Sequence, residues 1–495
     1  MATPAVRPNL LVLMTDQQRY DAMSAHGGWV RTPVLDRMAA EGCDLRGHYA
    51  QAPVCVPSRT SLFTGRYPHA HRVLENDARL ASHEVHLFKA LKQAGYHLTY
   101  AGKNHLLPAV EGPANFDAWT EAEDDLNGDP RRRAYLELEQ ASLARLEEVG
   151  SYASSEYHDF PDGVTTTGLI AARARADLAA APLDQSWCAT VSFRDPHVPH
   201  LAPRRFAEWY PPESLPLPEW REDELAAKHP RLAVKREVQN AAAATPEDQR
   251  HYLAVYGAMC SFVDEQIGTI LEVLAQRADA DRTLVLFTSD HGDFCWRHGL
   301  CKKDLVLYDD LLHVPAIVRW PGYIRVGRID ALTEHVDLVP TLLDFAGVRV
   351  PIGCQGRSLG PLLLGETDTH RTVVHAEVCH PGMRSGYATA AALREARAAG
   401  VVPGAPYNVP GDYTKALRTE RWKYLWYGDG FEELYDVADD PGERCNRAKD
   451  PDCADVLADL RLRLMQWVVE TADPRSPRTE REQLAEYTAW KVEAG

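Results

Sequence analysis

The chain has 495 residues, 45% apolar and 25% charged, with a formal net charge of −17. That is the composition of a globular enzyme with one large domain and a smaller one, and it lacks the Lys/Arg surplus that nucleic acid or anionic lipid would demand. No apolar run approaches the roughly eighteen residues of a membrane helix, and ten cysteines in so long a chain are too sparse for a disulfide framework.

The first residues run straight into an apolar strand with no charged n-region or cleavage site, which leads to the expectation of a cytoplasmic protein. Asn9 to Asp16 reads as a fully buried parallel strand delivering Asp16, then Gln17, to its C-terminal edge, where ligands of open α/β sheets collect. Thr32 and Pro33 open a helix that runs to Glu41. Cys55-Val56-Pro57-Ser58-Arg59 then starts a short helix-prone run ending at Thr64-Gly65-Arg66, which puts a thiol at a helix N-terminus, a place that favours negative charge. Tyr67 to Asn76 reads as a loop; His69 and His71 have no metal-spaced companions and are expected to be solvated.

A helix over His86–Ala94 and a strand over His97–Ala101 lead to Gly102-Lys103-Asn104-His105, a cation and an imidazole at the sheet edge. Residues 107–163 read as an acidic, irregular insertion. A helix over Thr167–Ala180 and a strand over Ser186–Ser192 precede Asp195-Pro196-His197-Val198-Pro199, where prolines aim the His197 ring. Thr245-Pro246 begins a long helix with a core stripe of Leu253, Tyr256, Cys260, Val263, Ile267, Ile270 and Leu274. Thr283 to Thr288 is a second buried strand ending in Asp290 and His291, so that two strands bring carboxylates and neutral donors to one edge, as a hard cation requires. His298 to Asp304 follows, with Lys302 and Lys303 adjacent. Gly356-Arg357-Ser358-Leu359-Gly360 fits a nucleophile-elbow pattern but has no preceding strand, and that reading is rejected. From about residue 372 the pattern changes to short strands (373–378, 413–417, 422–427) and a closing helix from about Cys453 to Glu470, an antiparallel α+β unit.

Cys55-x-Pro57-Ser58-Arg59 with Thr64-Gly65-Arg66 resembles the signature of the type I sulfatases, a branch of the alkaline phosphatase superfamily, and further matches follow in order along nearly the whole chain. The resemblance implies a large, mostly parallel α/β sheet sandwiched by helices over residues 1–371, and a small C-terminal α+β subdomain with an antiparallel sheet over 372–495. It implies a sulfuric ester hydrolase in which Cys55 is converted to formylglycine by a formylglycine-generating enzyme, the hydrated aldehyde attacking the sulfate. Asp16, Gln17, Asp290, His291 and position 55 would hold one divalent metal, calcium in first place and manganese or magnesium otherwise. Lys103 and Lys303 would bind sulfate, Arg59 orient position 55, His197 protonate the leaving oxygen, and His105 take the proton that releases sulfate. The chain departs from the family pattern at Asn104 for Trp, His291 for Asn and Lys302 for Gly. Asn76 matches a substrate-contacting Asn of phosphonate monoester hydrolases, so a phosphonate monoester or phosphodiester hydrolase is the nearest alternative. A catalytically silent binding protein on the same scaffold is the next, and a thiol hydrolase using unmodified Cys55 is more distant. The expected substrate is a small sulfate ester, with specificity set by residues 107–163 and 376–412.

Overall fold

The computed structural model describes residues 7–108, 111–121, 129–303, 305–378 and 413–472. Most of the expected specificity segment 376–412 lies outside the described residues.

Among the described residues ten strands come before residue 335: β1 (Asn9–Thr15), β2 (Cys43–Tyr49), β3 (His97–Gly102), β4 (Ala118–Glu121), β5 (Ser155–His158), β6 (Trp187–Ser192), β7 (His200–Pro203), β8 (Thr283–Ser289), β9 (Ala316–Arg319) and β10 (Gly327–Glu334). Eight of them form one sheet in the order β10-β2-β9-β8-β1-β6-β3-β4, while β5 and β7 pair separately. Only β9 runs antiparallel to its neighbours, β2 and β8. The central β1 lies parallel to both β6 and β8. Such strands are buried on both faces, and β1 shows why its sequence is apolar throughout. Leu10, Val12 and Met14 pack on one side with Leu62, Phe63, Phe88 and Leu342. Leu11 and Leu13 pack on the other with Leu178, Ile267, Ile270 and Leu274.

The long helix Pro246–Ala275 begins with a capping box, the Asp248 N–H donating to Thr245 Oγ1 at 3.2 Å and the Thr245 N–H to Asp248 Oδ2 at 2.8 Å. Its expected stripe, Leu253 to Leu274, is buried throughout.

The second sheet is antiparallel, in the order β11 (Val374–Val378), β12 (Thr414–Arg418), β13 (Trp422–Tyr427), β14 (Glu432–Asp436). The helix Ala454–Thr471 lays Leu457, Leu460, Leu464 and Trp467 against Leu417, Tyr424, Tyr67 and Val336, which joins this unit to the segment just after the Cys55 helix.

Two local expectations are corrected. The 107–163 region is not irregular: a helix spans Pro130–Glu148, capped by Asp129 and holding Tyr135 and Leu146 in the interior, and β4 extends the main sheet. Nor are His69 and His71 solvated. They sit in a short helix, Pro68–His71, with His71 buried at 3.0 Å from Ser61 Oγ and His69 Nδ1 2.6 Å from Glu377 Oε1 of β11. The partner that holds the half-buried His69 arrives from 308 residues away, so local sequence carries no sign of it. Among the described residues all cysteines are free thiols, and no helix is long and apolar enough to cross a membrane.

Candidate active site

β1 and β8 run parallel with Thr15 beside Ser289, so the residues that follow each strand emerge side by side. Asp16 and Gln17 leave one strand, Asp290 and His291 the other. The helix Cys55–Thr64 points its N-terminus at them, with Cys55 at its first position. Asp16, Cys55, Asp290 and His291 are all buried, and one ligand atom from each lies within 4.8 Å of the others.

Arg59 fixes this cluster. Its guanidinium is fully buried and forks between the carboxylates, Nε donating to Asp290 Oδ2 at 2.8 Å and Nη2 to Asp16 Oδ2 at 2.9 Å. Nη1 donates to the Lys103 carbonyl and to Ser192 Oγ. Ser58 of the same turn donates to the Asp290 carbonyl. The Cys-x-Pro-Ser-Arg spacing therefore lets one helical turn hold the thiol and both strand ends together.

Lys103 reaches the site because Gly102 ends β3 at φ 118, where an added Cβ would lie 2.0 Å from the Ser192 carbonyl. Lys103 Nζ donates to Asp16 Oδ2 at 2.6 Å and lies 3.7 Å from Cys55 Sγ. Lys303 Nζ is 2.7 Å from the same sulfur and 2.9 Å from His291 Nε2. Of the two adjacent lysines it is thus Lys303 that meets the thiol. Burial and Asp16 push the Cys55 thiol up, but Lys103, Lys303 and His291 outweigh them and hold it well below its ordinary value. Burial likewise opposes ionisation of Asp16, yet Lys103 and Lys303 keep its carboxyl well below the usual range. Burial and the charge on Asp16 raise Asp290.

The donor set fits a hard cation. His291 Nδ1 donates to the Gly292 carbonyl at 2.9 Å, which turns the Nε2 lone pair inward. Burial works against a charge on this ring, but Asp290 and Cys55 still raise it above its ordinary value, so positive charge is favoured here. Gln17 adopts φ 72, held by its N–H on Asp290 Oδ1 and by Tyr256 donating to its carbonyl. Its side-chain Nε2 donates to Asp293 Oδ2 at 2.7 Å, while Oε1 is buried with no hydrogen-bond partner among the described residues, an orphaned oxygen that a cation would satisfy.

His105 and His197 flank the thiol, and both gain interaction from Cys55. His105 is mostly buried with Nδ1 unpartnered among the described residues, and burial lowers it. His197 is half-buried, its Nδ1 donating to the Val198 carbonyl at 2.7 Å; burial, Lys303 and Lys103 push it down to about 3. Asn76 lies against the first turn of the Cys55 helix. Its Oδ1 accepts from the Val56 N–H at 3.1 Å, so it braces the first turn of the Cys55 helix.

Sequence reasoning missed Asp293 and Tyr252. Tyr252 donates to both carboxylate oxygens of Asp293, which in turn orients the Gln17 amide. The second acid in Asp290-His291-Gly292-Asp293 was the available signal; Tyr252 sits on a helix face that reads only as core.

The fold and this sheet-edge cluster define a hydrolase of the alkaline phosphatase-like class with a set of residues able to hold a metal. The sulfatase family model matches residues 8–348, and the chain belongs to that family. It is 27% identical to the choline-sulfatase of Rhizobium meliloti, over 94% of this chain and 88% of that protein. It is 26% identical to the arylsulfatase of Clostridium perfringens, over 89% and 90%. The phosphonate monoester hydrolase of Agrobacterium radiobacter superposes with a TM-score of 0.76 at 26% identity, covering 94% of this chain and 96% of that one.

Proposed function

We propose that this enzyme hydrolyses small sulfate monoesters through a formylglycine made from Cys55 by a formylglycine-generating enzyme. The observation that carries the reading is the pair of ammonium groups, Lys103 and Lys303, converging on the Cys55 sulfur at a helix N-terminus. This places fixed positive charge around whatever anion is transferred to position 55.

Asp16, Gln17 Oε1, Asp290, His291 and position 55 would hold one divalent cation, calcium being the ion proposed and manganese or magnesium the alternatives. Bound there, it supplies charge neutralisation for the sulfate and activation of the hydrated aldehyde. Lys103 and Lys303 hold the non-bridging oxygens, and Arg59 locks the helix turn that carries position 55. Burial keeps His105 neutral, the state needed to accept a proton. His197 is neutral at rest. A bound sulfate offsets the two ammonium groups that, with burial, depress it, so with substrate present the ring takes up a proton from solvent at Nε2 and gives it to the leaving oxygen.

The phosphonate monoester reading is favoured by the Asp16/Gln17 and Asp290/His291 pairs and by the phosphonate monoester hydrolase likeness above. Comparing kcat/KM for 4-nitrophenyl sulfate and 4-nitrophenyl phenylphosphonate, on protein whose conversion at position 55 is verified by peptide mass, decides between them. A higher value for the phosphonate would overturn the sulfatase reading. For His197→Ala, kcat/KM is expected to fall about 10²–10³-fold with an alkyl sulfate and less than about tenfold with 4-nitrophenyl sulfate, whose leaving group needs little protonation. Equal losses on both substrates would remove His197 from proton delivery.

A further inference from the structure

Asn104 stands where the family pattern has tryptophan, between Lys103 and His105, and the chemistry above leaves it unused. It is buried, and its side-chain amide closes a tight turn across His105. Oδ1 accepts from the Leu106 N–H at 3.2 Å and the Leu107 N–H at 2.9 Å, while Nδ2 donates to the Leu107 carbonyl at 2.9 Å. Nδ2 also lies 3.5 Å from Glu121 Oε1 at the end of β4, an oxygen that accepts from Trp119 Nε1 at 3.3 Å. Leu106 and Leu107 belong to the core, so their amides need a partner within the protein. An indole carries one N–H donor and no acceptor, so the tryptophan of the family pattern cannot satisfy them.

What the amide encloses is His105, whose backbone sits at φ 43, in the left-handed region. A residue held there depends on its surroundings to stay. The turn is fastened separately on its two sides. Upstream, the Lys103 N–H donates to the Ser192 carbonyl at 2.9 Å, and the Lys103 carbonyl accepts from Tyr100 at 2.6 Å and from Arg59 at 3.0 Å. Downstream, the fastening is the Asn104 amide, with one longer contact from the Leu80 N–H to the Leu106 carbonyl at 3.5 Å. Loss of the amide therefore releases the half of the turn that carries His105. Lys103, whose Nζ reaches Asp16 and Cys55, stays in place.

We propose that Asn104 is a positioning residue for His105, its amide holding the imidazole where it takes the proton as sulfate leaves position 55. This rests on the formylglycine reading above. In that step His105 removes the proton of the geminal hydroxyl, the O–H electron pair becomes the π bond of the aldehyde, and the C–O bond to sulfate breaks, sulfate departing with its electrons. Attack on the ester does not use His105. A displaced imidazole therefore slows the second half of the turnover and not the first.

The test separates the two halves. Asn104→Ala, with conversion at position 55 verified by peptide mass, should release about one equivalent of 4-nitrophenol from 4-nitrophenyl sulfate in a burst, followed by a steady state about tenfold or more slower than wild type. Asn104→Asp keeps the Oδ1 acceptor and should recover part of that rate. Without substrate, hydrogen exchange at the Leu106 and Leu107 amides, read by mass spectrometry, should be about tenfold or more faster in Asn104→Ala. Unchanged exchange, an unchanged steady state, or a slower steady state without the burst overturns the proposal. A wild-type enzyme that turns over no sulfate ester while the exchange difference holds would instead sink the sulfatase reading and still assign the His105 turn to Asn104.

Discussion

Cys55→Ala is expected to abolish ester hydrolysis, lowering kcat by at least about 10⁴-fold. The sulfur is the point on which Lys103, Lys303, His291 and Asp16 converge, and both flanking histidines gain interaction from it. Without a nucleophile at the helix N-terminus those groups still surround an anion, so the variant should retain binding of a sulfonate such as 4-nitrobenzenesulfonate while losing turnover. Single-turnover kinetics with 4-nitrophenyl sulfate, together with calorimetry, make the check. Residual activity above about one per cent of wild type would mean that a group other than position 55 attacks the ester. Loss of binding and turnover together would mean that the substitution had collapsed the site. Cys55→Ser is likewise expected to lose steady-state turnover, because a serine ester has no geminal hydroxyl to expel the anion; a single burst of at most one equivalent of leaving group would set it apart from Cys55→Ala.

Arg59→Met should have the largest effect on stability, about 3–5 kcal/mol. The substitution nearly preserves side-chain length but leaves Asp16 and Asp290 as neighbouring buried carboxylates, one held low by cations and the other already raised by burial and by its neighbour. It also removes a donor from the Lys103 carbonyl and Ser192 Oγ, so four separate strand ends lose their common tie. Arg59→Lys should recover only part of the loss, since an ammonium cannot reproduce the planar fork. Urea unfolding monitored by tryptophan fluorescence reports the change in midpoint. A midpoint within experimental error of wild type would show that the two carboxylates do not depend on Arg59. A bound cation should narrow the difference, since it supplies charge to the same two carboxylates.

The sequence by itself determined the elements whose signals are local. Continuous apolar runs ending in acids identified β1 and β8 and placed Asp16 and Asp290 at one edge, because a strand buried on both faces must be apolar throughout and its first polar residue marks the end. The Cys55 helix was legible from its Cys-x-Pro-Ser-Arg spacing and the helix-prone run that follows, and the long helix from its 3.6-residue stripe. Tertiary structure decided what depends on segments distant in the chain. Residues 302 and 303 offer the same side chain, and only the left-handed turn at Lys302 decides which ammonium meets Cys55. Asn76 became a brace because its carbonyl found the Val56 N–H. His69 was paired with Glu377, and the Gln17 amide was oriented by Asp293 and Tyr252, partners 308 and 276 residues away or hidden on a core face. Secondary structure is written in short-range periodicity. Hydrogen-bond partners across a fold are set by which strands lie side by side, and no local pattern encodes that.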